Sequence, residues 1–481
     1  MKKINILAVS LIFCQILFGG CKKLVQVESP VTKFDASKIY DKDENAISVL
    51  TGLYQLLSNE SGFAQGTNSI TVFGGLSADE IIQYPNFNSL KTSVYLNNIK
   101  PLNPGVPLWS RIYNFIYTTN TAIYGISQSS TLTPNVKQRL LGEAKFMRGF
   151  LYFYLVNFWG DVPLVTSNDY RISRSASRSP IEAIYKQIIA DLEDAQGLLS
   201  DEYLLSDLST TTSERIRPNK WAAKALLARC YLFTGDYNKA ERQSNSIIEN
   251  TGMFSLNTLS EVFLKNSTET IWQIQAIDPT WNTYDATFFV LKDAPNFNQP
   301  TSLSPYLIDA FEKGDKRFKA WIGSITVSGS TYYYPYKYKV STQFSEITEY
   351  LTVLRLSEQY LIRAEARTFS GNLLGAIADL NVIRHRARDE SSPEVPNPLP
   401  DLNSTLNRDQ ILNALFKERQ IELFTEWGHR WLDLKRAGRL DKVMEIVSVS
   451  KGEKWDHTKA LYPIPQSDIL SNSKLNQNPG Y

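Results

Sequence analysis

The chain has 481 residues and a mass of 54.6 kDa, and its 43% hydrophobic and 21% charged residues exclude a disordered or fibrous protein. Lysines and arginines total 51 against 49 aspartates and glutamates, and this net charge of +2 argues against a nucleic-acid partner. The three cysteines provide no disulfide framework, and the three histidines, which are far apart in the sequence, form no Cys/His zinc pattern, so we predict no metal and no cofactor.

The first twenty residues have the features of an export signal. Two lysines precede an apolar run at residues 4–18, which is too short to span a bilayer, and two glycines stand directly before Cys21. Small residues before a cysteine suit a lipoprotein signal peptidase, whose substrate thiol carries a diacylglycerol. We therefore predict a signal peptide at residues 1–20 and attachment to a membrane through a lipid anchor on Cys21. The alternative is an ordinary signal peptide in which Cys21 has no role.

The chain after Cys21 repeatedly shows the apolar spacing of amphipathic helices, in which buried residues recur every three or four positions. This spacing predicts helices at residues 45–57, 110–124, 134–158, 179–199, 219–233, 237–249, 356–369, 375–388 and 408–435. We therefore predict an all-α fold.

Two regions interrupt the helical pattern. Residues 62–108 are rich in Asn, Ser, Gly and Pro, and residues 257–354 alternate short β-branched and aromatic runs with turns. We predict that both regions are insertions of long loops and small strands on a helical body. Long loops on a rigid scaffold are where binding residues most often lie, so we look for the site here.

An internal repeat supports the helical body. Residues 225–240 align with residues 361–376, and both copies have small residues within a helix, then Gly-Asp or Gly-Asn, then an alanine. Glycine suits the left-handed end of a helix, and Asp or Asn caps the helix that follows. The repeat predicts helical hairpins around residues 219–250 and 356–388, similar to tetratricopeptide units. Two copies are too few for a free solenoid, so we expect them to pack on the other helices.

The candidate catalytic and metal-binding groups have simpler structural interpretations. Asp79 and Glu80 could be the carboxylate pair of a glycoside hydrolase, but Ser77 and Glu80 also fit a helix capping box, which we favour. Glu426 and His429 form a Glu-x-x-His motif, which binds a metal when a second such motif faces it, and the sequence has no second copy. We therefore predict a protein that is not an enzyme.

Three glutamates at positions 418, 422 and 426 recur every four residues along the last long predicted helix. The nearby arginines are Arg419, Arg430 and Arg436. We interpret this segment as a structural ion-pair helix whose aromatic rings pack inward.

Aromatic residues make up 12% of the chain, and those in the two insertions are the candidate glycan-binding residues. The C–H faces of sugars stack on aromatic rings, and sugar hydroxyls pair with amides and carboxylates. Two clusters combine rings with amides. They are Trp281, Asn282 and Tyr284, and Tyr84, Asn86 and Phe87. Each ring taken alone also fits a place in the core, since most of the aromatic residues have to be buried.

Several motifs, in a fixed order, resemble those of the SusD/RagB family over essentially the whole chain. They lie at residues 143–152, 159–164, 311–318, 355–366, 418–436, 461–465 and 477–481. The resemblance implies a SusD-like helical body of tetratricopeptide-like hairpins, in one domain at residues 21–481. It also implies a lipid-anchored protein of the outer membrane that faces the cell exterior.

The same resemblance implies a function in binding. Such a protein binds oligosaccharides or polysaccharides and delivers them, as a lid, to a SusC-like TonB-dependent outer-membrane transporter. Two alternatives remain open within the family: a lid that captures peptides, and a scaffolding lid without its own sugar site. An exported glycoside hydrolase would need a carboxylate pair that the sequence does not display.

Overall fold

A computed structural model describes residues 36–59, 62–84, 89–101 and 106–481 of the chain. The predicted signal peptide and Cys21 lie outside these residues. Among the helices of the described ranges, none combines the length and apolar character that crossing a membrane requires.

Eighteen α-helices occur in the described residues, and the prediction of an all-α fold is confirmed. They are α1 Asp43–Leu57, α2 Ile70–Ser77, α3 Ser89–Tyr95, α4 Leu108–Gln128, α5 Pro134–Trp159, α6 Tyr170–Ser173, α7 Ile181–Leu198, α8 Lys220–Phe233, α9 Tyr237–Ile248, α10 Tyr284–Phe289, α11 Pro305–Ile308, α12 Lys316–Trp321, α13 Leu356–Phe369, α14 Leu373–Ala387, α15 Arg408–Glu422, α16 His429–Arg436, α17 Leu440–Ser450 and α18 Gln466–Ser471.

The strands of the described residues are short and form antiparallel pairs, β1 with β5, β2 with β3, β4 with β8 and β6 with β7. They are β1 Ile81–Gln83, β2 Val162–Pro163, β3 Arg178–Ser179, β4 Thr270–Ile274, β5 Thr301–Leu303, β6 Ile322–Val327, β7 Ser330–Pro335 and β8 Leu351–Arg355. Most of them lie in the second predicted insertion, and β1–β5 joins it to the first.

The long helices form one continuous stack in the order α4, α5, α7, α8, α9, α13, α14 and α15, each packed on the next. Small residues bring the axes close. A Cβ at Gly149 on α5 would lie 3.0 Å from the Leu192 side chain on α7. Aromatic rings fill the space between the stack and the insertions, since Phe150 contacts both Trp272 and Trp427 edge-on, at 5.3 and 5.5 Å between centroids.

The two repeats form matching helical hairpins, α8–α9 and α13–α14. Gly235 and Gly371 adopt left-handed backbone angles, with φ of 75° and 86°, at the end of the first helix of each hairpin. The next residue caps the second helix: Asp236 accepts the N–H of Lys239 at 3.2 Å, and Asn372 accepts that of Gly375 at 3.0 Å. Because α9 packs on α13, the two hairpins contact each other, and α7 and α15 pack on the outer helix of each hairpin.

The first insertion contains two helices that the sequence did not predict, α2 and α3. Every residue of α2 is buried, so its sequence lacks the alternation of polar and apolar faces that reveals a surface helix. The predicted capping box at Ser77 and Glu80 is wrong, because Ser77 is the last residue of α2. The Ser77 hydroxyl instead forms a hydrogen bond of 2.7 Å with the Tyr462 hydroxyl.

The predicted helix at residues 408–435 is two helices, α15 and α16, separated by a turn. Thr425, Trp427 and Gly428 have φ values of 50°, 49° and 69°, which no α-helix contains. The cause is a tertiary contact: a Cβ at Gly74 on α2 would lie only 2.5 Å from the Cα of Gly428. The turn therefore passes directly against α2. A continuous helix over residues 408–435 would not keep Gly428 in contact with Gly74.

Buried ion pairs hold α15 and the following turn in place. Arg355 donates from Nη1 to Glu422 Oε1 at 2.6 Å and from Nε to Glu426 Oε2 at 2.8 Å, and Lys337 also binds Glu426. Glu418 pairs with Arg317 at 2.6 Å. The glutamates form structural ion pairs as predicted, but they lie on α15 and the turn after it instead of on one continuous helix.

The partners of these glutamates differ from the arginines that stand near them in sequence. Those arginines contact other carboxylates, with Arg419 bound to Asp433, Arg430 to Asp79, and Arg436 to both Glu365 and Asp433. The turn between α15 and α16 interrupts the single predicted helix, and the three glutamates pair with arginines and a lysine from outside the 418–436 segment.

Candidate functional site

An open cavity of about 630 Å³ lies between residues 281–299 on one side and residues 66–68 with α3 on the other. We name it the Trp281 cavity. Trp281 and Tyr284 both line it, with ring centroids 6.2 Å apart and ring planes at 44°. The structure therefore brings two of the predicted glycan-binding rings into one cavity.

The other lining residues add further rings, amides, hydroxyls and two cations. They are Phe288 and Phe297, Asn68, Asn296, Asn298 and Gln299, Thr67, Thr287 and Ser341, and Lys91 and Lys292, with Gly66 completing the wall. None of the lining residues in the described part of the chain is an aspartate or glutamate. This combination of flat apolar surfaces with hydrogen-bonding side chains is typical of carbohydrate recognition.

Asn282 supports the cavity from behind instead of facing it. Its side chain is fully buried, and its Oδ1 accepts the N–H groups of Thr348 and Glu349 at 2.8 and 2.9 Å. Its Nδ2 donates to the carbonyl of Glu346 at 2.9 Å. The expected direct contact of Asn282 with a glycan is therefore contradicted, because the backbone at residues 346–349 occupies both the oxygen and the nitrogen of its amide. Its side chain therefore joins the residue after Trp281 to the backbone at residues 346–349.

The two walls of the cavity are joined below Tyr284. The backbone N–H of Tyr284 donates to Gln65 Oε1 at 3.1 Å, and the N–H of Gly66 donates to Asp285 Oδ1 at 2.8 Å. Burial raises the pKa of the Asp285 carboxyl to about 7. These reciprocal bonds tie α10 to the loop at residues 66–68, so the cavity is preformed on both sides.

A self-bonded loop forms the rim. Gln299 Nε2 donates to the carbonyls of Thr287 and Val290 at 2.9 and 2.5 Å, and Asn296 Oδ1 accepts the N–H of Gln299 at 3.2 Å. Phe297, at the tip of this loop, leaves 72% of its surface exposed. An apolar ring held at the mouth of a cavity is available for contact with a ligand.

Tyr84 is not among the residues that line the cavity. Its hydroxyl forms a hydrogen bond of 3.2 Å with Ser302, and its ring packs against Tyr332 at 5.8 Å. Asn86 and Phe87, the other two members of its predicted cluster, lie outside the described residues.

Several lining residues were missed in the sequence, notably Lys91, Phe288 and Phe297. The motif Asn296-Phe297-Asn298 has the same combination of ring and amide that singled out Trp281, within the same insertion. The combination of ring and amide would therefore have identified Phe297 as a candidate as well. Residues 66–68 and Lys91 carry no comparable signal, because only the fold brings them to the 281–299 segment.

The earlier catalytic and metal-binding candidates are buried away from the cavity. Arg430 binds both oxygens of Asp79, at 2.8 and 2.7 Å, and Glu80 is 1% exposed with its pKa raised to about 8 by burial and by Asp79. Burial and nearby cations hold the pKa of His429 well below its usual range. Within the described ranges, no three His, Cys, Asp or Glu side chains are grouped as metal ligands.

Comparison with known families identifies this fold. The family model described as "Starch-binding associating with outer membrane" matches residues 33–232, and the model described as "SusD family" matches residues 297–481. The chain belongs to the SusD/RagB family. This is a family of glycan-binding proteins, and the resemblance seen in the sequence is confirmed. The description of the model that matches residues 33–232 associates the family with the outer membrane.

Relatives in sequence span the whole SusD-like chain, and solved structures span about nine-tenths of it. SusD-like protein P2 of Formosa agariphila is 25% identical over 535 residues, which cover 100% of both chains. A SusD superfamily protein from Bacteroides thetaiotaomicron has a TM-score of 0.75 at 24% identity, covering 91% of this chain and 100% of its own. Surface glycan-binding protein A from Bacteroides fluxus has a TM-score of 0.72 at 22% identity, covering 91% and 99%. These structures establish the fold.

Proposed function

We propose that the protein is a non-catalytic surface lipoprotein that binds an oligosaccharide or polysaccharide in the Trp281 cavity. It is anchored in the outer membrane through acylated Cys21 and faces the cell exterior. As a lid, it delivers its ligand to a SusC-like TonB-dependent transporter. Family membership supports the partner and the location, and the cavity supports the binding role.

The observation that carries the proposal is the pair of rings, Trp281 and Tyr284, on one wall of an open cavity of about 630 Å³. Trp281 is partly exposed, so its ring is available to the sugar units of a chain, whereas Tyr284 is 6% exposed and packs beside Trp281 with ring planes at 44°. Hydroxyls at the edges of those sugars lie within reach of the amides and hydroxyls that line the same cavity. The volume falls within the range of small-ligand sites.

The chemistry of the lining supports binding over hydrolysis. Glycoside hydrolysis normally requires two carboxyl groups on either side of the scissile bond, and the described lining residues supply neither. The Asp79 and Glu80 carboxyls, which the sequence offered as an alternative, are buried against Arg430 and the core. We therefore propose that a captured glycan leaves the cavity with its bonds intact.

The proposal is tested by a binding screen of the soluble chain that starts at residue 22. Affinity electrophoresis and calorimetry would be run against polysaccharides, N- and O-glycans and a peptide digest, with chromatography of each mixture for cleavage products. Saturable binding of a glycan without products is expected. Binding of peptides alone would favour the peptide-capturing lid, and the appearance of shortened sugars would contradict a non-catalytic role. No binding to any of these ligands would favour a scaffolding lid without its own sugar site.

The anchor and the partner require the full chain. Expressed in a bacterium that produces SusD-like proteins, the protein is expected to incorporate labelled fatty acid, to be accessible to antibody on intact cells and to co-purify with a TonB-dependent barrel. Cys21→Ala is expected to abolish the labelling. Labelling that persists in this variant, or a barrel absent from every gentle detergent extract, would contradict this part of the proposal.

A further inference from the structure

Phe344 is an exposed ring on the segment between β7 and β8. It leaves 79% of its surface exposed, the largest fraction for any aromatic side chain among the described residues. Phe344 does not line the Trp281 cavity, although Ser341, three residues earlier, does. Single exposed rings are common on protein surfaces, so the exposure acquires meaning only from the contacts that position this ring.

Hydrogen bonds join Phe344 to the loop that carries Trp281. The Phe344 N–H donates to the Thr280 carbonyl at 2.9 Å, and Gln343 Nε2 donates to Thr280 Oγ1 at 3.0 Å. Asp278 Oδ1 in turn accepts the N–H and the hydroxyl of Thr280, at 2.9 and 2.6 Å. Because Thr280 directly precedes Trp281, standard bond lengths place the Cα atoms of Phe344 and Trp281 at most about 7 Å apart. The two rings therefore start from neighbouring points of one hydrogen-bonded loop.

The backbone of Phe344 adopts a left-handed conformation, with φ of 63°. This conformation is unfavourable for a residue with a bulky side chain, and glycine or asparagine is the more usual occupant. Residues strained in this way persist where the surrounding structure fixes them, and they cluster at binding sites. Packing within the chain does not explain the strain, since the ring lies mostly in water. Contact of the ring with a ligand does explain it.

From these contacts we propose that Phe344 is a further glycan-contacting residue, which extends the binding site from the Trp281 cavity onto the adjoining surface. The inference rests on the proposed function and deepens it, because it makes the ligand a polysaccharide segment longer than the cavity. A sugar chain that stacks on Trp281 continues across Phe344, where a further sugar unit covers the exposed ring. A short oligosaccharide occupies the cavity and leaves Phe344 in water.

The alternative occupant of this surface is the transporter. The observations favour the glycan, because Phe344 is positioned through Thr280, the residue directly before Trp281. A chain that contacts both rings therefore meets them in one fixed arrangement. Since hydrogen bonds already order this backbone, binding costs less conformational entropy than it would on a free loop.

The test measures how the Phe344 ring affects the binding of oligosaccharides of increasing length. Calorimetry titrates the chain from residue 22 with oligosaccharides of laminarin, xylan, mannan, amylose and polygalacturonate, from disaccharide to octasaccharide, and with each polymer. The variants are Phe344→Ala and Phe344→Gly, because glycine removes the ring and also tolerates the left-handed backbone. Tyr170→Ala, which removes a ring that is 65% exposed on α6 outside the cavity, is the matched control.

In each series that binds, both Phe344 variants should weaken binding of the polymer and the octasaccharide about five- to thirtyfold. They should leave the affinity for the shortest oligosaccharide that binds unchanged, and Tyr170→Ala should change neither affinity. Phe344→Gly should not lower the urea concentration at which half of the protein is unfolded. Its loss of affinity would then be separate from any loss of stability.

Unchanged affinity of both Phe344 variants for the polymer, with binding still weakened in Trp281→Ala, would overturn the extended site and leave the cavity site intact. Equal weakening of short and long chains would also overturn it, since Phe344 would then act through the position of Trp281. Variants that bind glycans normally but no longer co-purify with the barrel would assign the ring to the transporter and overturn the inference as well. No binding of any glycan, here or in the wider screen, would overturn the proposed function itself.

Discussion

The rings of Tyr237 and Phe369 stack face to face between the two repeats, with centroids 4.2 Å apart and planes within 2° of parallel. The pair joins α9 to α13, and the Arg408 guanidinium lies 4.6 Å from the centroid of the Phe369 ring. Because aromatic pairs contribute about 0.5–1.5 kcal/mol beyond burial, a double-mutant cycle of Tyr237→Ala and Phe369→Ala should give a coupling energy of that size in urea unfolding.

The control for this cycle pairs Phe369→Ala with Tyr124→Ala, which removes an exposed ring from α4 at the other end of the stack. The losses of unfolding free energy caused by these two changes should be additive to within about 0.5 kcal/mol. A coupling near zero for Tyr237 and Phe369 would mean that the repeats are held together without this contact.

Removing the Arg355 charge should strongly destabilise the core. The guanidinium is buried and binds Glu269, Glu422 and Glu426. Arg355→Met leaves these carboxylates without their common cation, and breaking a buried ion pair from one side costs about 3–5 kcal/mol. Urea denaturation measures the loss.

An exposed ion pair provides the matched control. Arg171 binds Asp169 on the surface, so Arg171→Met should change the unfolding free energy little. If both arginine variants unfolded at the same urea concentration as the unmodified chain, the ion-pair cluster would have no role in holding α15 and its turn.

The contact of Gly74 with Gly428 leaves no room for a methyl group. A Cβ at Gly74 would lie 2.5 Å from the Cα of Gly428, so Gly74→Ala should destabilise the protein by about 1–3 kcal/mol through forced backbone movement. Gly52→Ala is the counterpart on α1, where a Cβ would have no neighbour within 4 Å. That change should stabilise by about 0.5–1 kcal/mol, because alanine favours a helix. Thermal unfolding that moved in the same direction for both variants would refute the close contact.

Asp285 should make stability fall as the pH rises toward neutrality. Burial raises its pKa from 3.8 to about 7, so the folded state binds the proton more tightly than the unfolded state. The stability that this group contributes is full below about pH 4, is lost between about pH 4 and 7, and changes no further above that range. Asp285→Asn keeps an oxygen for the Gly66 N–H and removes the titration. Relative to the unmodified chain, the variant should therefore gain stability progressively between pH 5 and 7.

Asp278→Asn is the control for the pH series, because hydrogen bonds with Thr280 lower the pKa of Asp278 below 3.8. Its carboxyl is ionised in both states between pH 5 and 8, so the difference between this variant and the unmodified chain should not depend on pH in that interval. Urea unfolding of both variants and the unmodified chain at four pH values measures these differences in unfolding free energy. If the difference between Asp285→Asn and the unmodified chain did not change with pH, the raised pKa of Asp285 would be contradicted.

The parts of the fold that were predictable depend on local signals. The helix predicted at residues 134–158 is Pro134–Trp159, and the repeat predicted the caps at Asp236 and Asn372 from the glycine and polar residue alone. Long periodic segments and short caps are encoded within a few turns of chain. The location of Trp281 and Tyr284 on one wall is local in the same sense, since three positions separate them.

The missed parts depend on distant contacts. Helix α2 is buried on all sides, so its sequence shows no alternation of polar and apolar faces. The turn before α16 depends on the contact with Gly74, which is far away in sequence. The partner of Glu422 and Glu426 is Arg355, which no spacing within the 418–436 segment reveals. The facing wall of the cavity, at residues 66–68, is likewise assembled only by the fold. For this reason the sequence identified the rings but assigned Asn282 to the ligand instead of to the loop behind it.

The most direct test of the account is a calorimetric titration of Trp281→Ala with the glycan that the screen identifies. Loss of a stacking ring should weaken binding by about 1–3 kcal/mol, or roughly 5- to 150-fold. Trp221→Ala, which removes an indole from α8 outside the cavity, should bind as the unmodified chain does. Unchanged affinity of Trp281→Ala, with its urea unfolding curve intact, would contradict glycan binding in the Trp281 cavity.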